Sequence, residues 1–148
     1  MKIVLILVVL VLLSGCGFLF WQNSQVPELG HVNGQLKPLS ANPNGVSTHT
    51  DDPSKQVAPW PFKEDLATTM AAIRHTLNQV EGAEIVEDQS NYLRVVFVTP
   101  LMRYRDDAEF YLDEASQQVH FRSASRAGKS DLGLNRERFD KLTAIYNQ

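Results

Sequence analysis

The chain has 148 residues, 43% of them hydrophobic and 21% charged, with a formal net charge of -3. That length leaves room for one domain, and that balance excludes a wholly disordered chain. The charge excludes a body that attracts nucleic acid as a whole, and it excludes surface electrostatics as the means of holding anionic lipid.

Met1-Lys2 is a short positive start, and Ile3 to Leu13 is an unbroken apolar run. Ser14-Gly15 then place two small residues before Cys16, the sole cysteine. This is the pattern of a secretory leader. A lone cysteine excludes an intramolecular disulfide and a cysteine-based zinc site, but it suits an attachment point. Leu13-Ser14-Gly15-Cys16 resembles the bacterial lipobox, in which the thiol takes a diacylglyceryl group and small residues admit the signal peptidase. Two or more acyl chains give stable anchoring, at roughly 0.8 kcal/mol per buried CH₂. A second anchor also fits. Ile3 to Trp21 is close to the ~20 residues that span a bilayer, and Trp21 suits an interface. Both anchors place the body outside the cytoplasm. Gly17 stands where an inner-membrane retention signal would have Asp, which favours the outer membrane, facing the periplasm, in a cell that has one. Without its leader the chain carries 13 basic and 17 acidic residues, or -4.

Residues 22 to 58 hold Pro27, Pro38, Pro43 and Pro53 and show no regular period. As free coil they would span about 30–35 Å. The expected division is a leader over 1–15, a lipidated terminus and flexible tether over 16–35, and a domain over 36–148 with a loosely packed lead-in at 36–58.

The folded pattern begins at Pro59-Trp60-Pro61-Phe62, a stiff apolar stretch. Glu64 and Asp65 then favour a helix start. Leu66, Met70, Ile73, Leu77 and Val80 make one apolar stripe, and Gly82 ends it. Four strands follow: Ala83 to Glu87, Tyr92 to Val98, Ala108 to Leu112 and Val119 to Ser125. Asn135 is read as the N-cap of a last helix, with Leu134 and Phe139 as a hydrophobic staple. Phe139, Leu142 and Ile145 form that helix's stripe. The fold predicted is a two-layer α+β domain in the order α-β-β-β-β-α, with a four-stranded, mainly antiparallel sheet and both helices on one face.

Residues 121 to 136, Phe-Arg-Ser-Ala-Ser-Arg-Ala-Gly-Lys-Ser-Asp-Leu-Gly-Leu-Asn-Arg, resemble the signature of the domain-of-unknown-function family 1499. Arg105 to Phe110, Tyr92 and Pro43-Asn44 are also similar to that family, and the resemblance covers roughly residues 36 to 146. It brings no reaction with it. It does imply two cysteines around the Pro-Asn segment, where this chain has Leu39 and Gly45. Their joint loss points to a disulfide in relatives and to a looser segment here.

The segment from Ser123 to Asn135 is dense in polar groups and runs into a helix N-terminus, a natural anion site. Arg122, Ser123, Ser125, Arg126, Ser130, Asp131, Asn135 and Arg136 are the candidate anion-binding residues. Arg122, Arg126 and Arg136 would close a cage on a carboxylate or phosphate, such as a lipid headgroup or a cell-wall acid. The competing reading is structural, with Asp106 and Asp107 pairing Arg122 and Arg126 across neighbouring strands.

A Ser-His-Asp hydrolase would draw on His75, His120 and Asp131, but no Gly-x-Ser-x-Gly elbow is present. His31, His49, His75 and His120 have no ligand spacing, and Asp51-Asp52 and Asp106-Asp107 lack a calcium-loop pattern, so neither metal nor cofactor is expected. The sheet face carrying Tyr92, Arg94 and Arg122 offers a surface for docking an envelope protein. The sequence thus points to a membrane-anchored envelope domain with a binding or structural role. Its partners would be the membrane, through Cys16, and an anionic small molecule or headgroup; a single-span interaction module is the alternative.

Overall fold

The computed structural model describes every residue from Met1 to Gln148. Helix α1 (Lys2–Ser24) is long and apolar enough to cross a membrane; at 1.5 Å per residue it runs for roughly 35 Å. Its apolar side chains stand exposed over most of its length. Only near its end does it meet the domain, where Asn23 is buried.

Strands β1 (His31–Val32) and β2 (Gln35–Leu36) pair as a small antiparallel hairpin. Asn33 (φ 52°) and Gly34 (φ 79°) form its two-residue turn, the left-handed pair that matches strand twist. Strands β3 (Gly45–Ser47) and β4 (Trp60–Pro61) precede helix α2 (Leu66–Asn78). The chain then makes β5 (Ala83–Asp88), β6 (Tyr92–Val98), β7 (Arg105–Asp113) and β8 (Gln118–Ser125), and ends in α3 (Leu134–Tyr146).

The main sheet has six strands rather than four. The meander runs β8-β7-β6-β5, and β3 and β4 both pair antiparallel with the outer edge of β8. They cover an edge that would otherwise present unpaired backbone groups. At three and two residues, neither is long enough to show an alternation in sequence. The element order corrects accordingly: the mixed α+β class stands, with three helices and with strands ahead of the first domain helix.

Alternation along the strands separates two faces. Leu93, Val95 and Phe97, with Ala108, Phe110, Leu112, Val119 and Phe121, form the apolar face. Met70, Ile73 and Leu77 of α2 and Phe139, Leu142 and Tyr146 of α3 pack onto it. Burial of Phe110 and Phe121 contributes about 1.5–3 kcal/mol each. Trp60 enters this core through β4, stacks on Tyr146 at 4.5 Å and donates from Nε1 to Thr143 Oγ1 at 2.8 Å. The stiff Pro-Trp-Pro stretch is therefore a core element.

The helix ends are set by aspartates. Asp65 caps α2 by accepting from the Thr68 amide at 2.7 Å. Before α3, Asp131 accepts from the amides of Gly133 (3.1 Å) and Asn135 (2.9 Å). Gly133 is the cap residue, at φ 86°, so Asn135 is not the N-cap and no staple pairs Leu134 with Phe139 in that frame. Asn135 lies inside the first turn, wholly buried.

The second sheet face is polar and covered. Tyr92, Arg94, Asp107, Glu109, Tyr111, His120 and Arg122 point to it, and Gly30 to Leu36 and His49 lie against it. Leu36 packs with Tyr92 and Tyr111, His31 stacks on Tyr111 at 4.2 Å, and His49 stacks on His120 at 4.1 Å. Asn44 to Ser47 are buried. The stretch read as tether and lead-in thus lies along the sheet, and the face read as a docking surface is occupied by the chain itself.

Candidate functional site

The polar face is built around two carboxylates. Glu109 and Arg122 are directly opposed on β7 and β8, and Arg122 Nη1 donates to Glu109 Oε2 at 3.2 Å. The other oxygen of Glu109 accepts from the Tyr92 hydroxyl and from the Gly30 amide, each at 2.8 Å. Burial, and then the neighbouring Glu109 charge, push the Tyr92 hydroxyl far above its ordinary range, so it stays a donor. Asp107 takes a forked contact from Arg126, Nε at 2.6 Å and Nη2 at 2.9 Å, and a contact from Arg94 Nη2 at 2.7 Å.

On this face the guanidiniums of Arg94, Arg122 and Arg126 are held by the carboxylates of Asp107 and Glu109, and Glu87 stands directly across from Arg94 in the strand register. Arg122 also keeps a buried Nε with no acceptor, a deficit that ordinarily costs about 1–3 kcal/mol.

Beside these arginines lies a cavity of about 300 Å³. Arg122, Arg126 and Asp107 form its floor, Asn42 and Asn44 of the lead-in make one wall, and Gln22 and Gln25 at the end of α1 make another. Nine of its twelve lining residues carry polar side chains. A polar, half-open space lined by two arginines and one aspartate is suited to a small anion carrying hydroxyl or amide groups.

The predicted site residues divide between four places. Arg122, Ser125 and Arg126 line the cavity. Ser123 and Asn135 lie on the opposite, helix-facing side. The Ser123 hydroxyl donates to Asn135 Oδ1, while Asn135 Nδ2 donates to Asn44 O (3.2 Å), Ser125 Oγ (3.2 Å) and Asp131 Oδ2 (2.8 Å). Asn135 thus ties α3, β8 and the lead-in together. Ser130 and Asp131 stand in the turn before α3, where the Ser130 hydroxyl accepts from the Leu132 amide. Arg136 reaches the carbonyls of Ser54 and Gln56, each at 3.0 Å, so the three-arginine cage with Arg122 and Arg126 does not form.

Asp106 and Asp107 take opposite faces. Asp107 pairs with Arg126, whereas Asp106 pairs with Arg138 of α3 at 2.7 Å. Glu109, Arg138 and the cavity walls Gln22, Gln25, Asn42 and Asn44 did not figure among the sequence candidates. The alternation of β7 could have placed Glu109 on the Arg122 face; nothing local marks the others.

The hydrolase residues are not assembled. His75 is exposed on α2, His120 contacts Thr48 Oγ1 at 3.3 Å and stacks on His49, and Asp131 is engaged at the start of α3. No group of three or more His, Cys, Asp or Glu side chains is arranged to hold a metal ion.

These features define a class: an antiparallel α+β domain with an apolar N-terminal helix clamped to its end and a strap folded over a charged sheet face. The chain belongs to a family of proteins of unknown function, DUF1499, which it matches over residues 35–145. No curated protein and no solved structure matches the chain.

Proposed function

We propose that this protein is a cell-envelope lipoprotein whose domain binds a small carboxylate or phosphate without catalysing a reaction. Acylation of Cys16, exposed on α1, would anchor it, and the domain would face the periplasm from the outer membrane where the cell has one. Retention of α1 as a single membrane span is the second anchoring reading, favoured by its length and composition. The observation that carries the binding function is the polar cavity whose lining sets Arg122 and Arg126 against the single carboxylate of Asp107. Intact mass of protein extracted from native membranes tests the anchor. A chain beginning at acylated Cys16 supports the lipoprotein; a full chain from Met1 replaces it with the membrane span.

Binding is tested by following thermal unfolding of the full chain in phosphate or acetate against chloride at equal ionic strength. A ligand at 100 times its Kd stabilises by about 2.7 kcal/mol. Arg126→Ala leaves Asp107 still paired with Arg94, so the fold should survive while the anion response disappears. An equal response in chloride, or a full response in Arg126→Ala, would overturn the binding site.

A further inference from the structure

At one end of the sheet three large apolar side chains stand in the open. Leu101 and Met102, in the β6–β7 turn, are 89% and 62% exposed, and Leu132, in the segment before α3, is 96% exposed. Leu132 also has a left-handed backbone, φ 55°, a conformation that L residues rarely adopt. Its side chain gains almost no packing within the chain.

Single exposed leucines need no explanation, but these two segments are the ones that hold the end of α1. Asn23 Nδ2 donates to the Arg103 carbonyl at 2.9 Å, and Asn23 Oδ1 accepts from the Arg105 amide at 2.7 Å. One turn earlier, Leu19 shares a cavity of about 280 Å³ with Tyr104, Ala127 and Leu132. The helix is therefore fixed to the domain at Leu19 and Asn23, with no free linker between them.

Whatever puts α1 at a membrane brings these loops with it. An uncleaved span would end near Trp21, which is 56% exposed and of the type that settles at an interface. Cleavage before Cys16 would leave the acyl chains three residues from Leu19, about 5 Å along the helix. Both anchors bring the same loops toward the bilayer. Arg103 and Lys129, exposed in the same two segments, form no ion pair within the chain.

We infer that the loops at 99–104 and 127–133 form a bilayer-docking face. Leu101, Met102 and Leu132 enter the headgroup region, and Arg103 and Lys129 meet lipid phosphates. The domain then sits on the membrane, and the Gln22–Gln25 side of the polar cavity lies at the lipid surface. The inference rests on α1 as the membrane anchor and goes beyond anion binding, because it assigns a separate surface and a separate partner.

Spin labels test it, on the full chain with Cys16→Ser, inserted as single copies into nanodiscs of phosphatidylethanolamine and phosphatidylglycerol. Labels are placed by Leu101→Cys, Met102→Cys and Leu132→Cys, with Val11→Cys in α1 and Ala115→Cys in the β7–β8 turn at the far end of the sheet as references. Collision with oxygen over a water-soluble nickel complex is expected to be several-fold higher at the three loop positions than at position 115. Loop labels as wet as that at 115, with position 11 deep in the bilayer, would overturn the docking face and leave the anchor. A wet label at position 11 would overturn both. Loop labels shielded from both reagents would overturn lipid contact in favour of a protein cover.

Discussion

The carboxylate of Glu109 accepts the backbone N–H of Gly30 at 2.8 Å, across 79 residues of sequence. The same side chain holds Arg122 and Tyr92. A single buried acid thus fixes both the sheet's charged face and the strap that lies over it, and the shape of the polar cavity depends on that strap.

Glu109→Ala leaves Arg122 buried beside a space instead of a charge. Removing one partner of a buried pair costs about 3–5 kcal/mol. Glu109→Gln keeps an acceptor but not the charge, so its loss should be smaller. Denaturant unfolding measures both, and hydrogen exchange at the Gly30 amide should accelerate in each. Unchanged protection at Gly30 would mean that other contacts hold the strap.

Trp60 carries the core's largest aromatic cluster, touching Phe110, Phe121, Phe139 and Tyr146 with ring separations of 4.5–6.4 Å. Trp60→Ala should cost about 3–5 kcal/mol and unpair β4 from β8. Trp60→Phe retains the stack and loses the bond to Thr143, for about 1 kcal/mol from that bond. Stabilities of the two variants within error of each other would assign the cost to the hydrogen bond rather than to packing.

The stacked His49 and His120 make the strap acid-sensitive. Burial lowers His49 first and the nearby His120 lowers it further, while Asp113 opposes them. Burial also lowers His120, again with Asp113 opposing. His49 Nδ1 accepts from the Leu36 amide at 3.2 Å, which an imidazolium cannot do. Both groups are neutral in the folded and unfolded chains well above pH 6.5. As pH falls below that value the unfolded chain takes up protons first, so the pair's stabilising share is lost progressively toward the lowered folded values. Strap exchange rates should rise on acidification from pH 7.5 to about 5. In His49→Gln with His120→Gln that added sensitivity should vanish; its persistence would place the titration elsewhere.

Much of this architecture can be read directly. The stripe Met70, Ile73, Leu77 and the alternation of β6 and β8 are long enough to declare their periods, and they form the observed core. Strands β3 and β4 are too short for any period, so a four-stranded sheet is the natural reading of a six-stranded one. Asn33-Gly34 did carry a signal, the two-residue hairpin turn, but two-residue strands on either side of it give no alternation to support it. The candidate residues were legible in type more than in partners. Arg122 and Arg126 do face one cavity, whereas Arg136, placed on α3, turns to the carbonyls of Ser54 and Gln56. Asp106 and Asp107 are neighbours in sequence and therefore opposite in direction. The partner of Asp106, Arg138, lies 32 residues away on another element, beyond any local pattern.

Gly45 separates two views of the lead-in. The family resemblance implies a cysteine there and another at Leu39, joined in relatives as a disulfide. In this chain a Cβ at Gly45 would stand 2.6 Å from the Ser123 carbonyl oxygen and 2.9 Å from the Ala124 Cβ, so β3 must move off β8 to admit any side chain. Gly45→Ala should therefore destabilise by about 1–3 kcal/mol and loosen the ladder from Gly45–Ala124 to Ser47–Arg122. Leu39→Cys with Gly45→Cys should carry the same burden when reduced and recover part of it on oxidation. Wild-type stability in Gly45→Ala would show that β3 yields easily, and the lead-in would then be the loose segment that the missing cysteines imply.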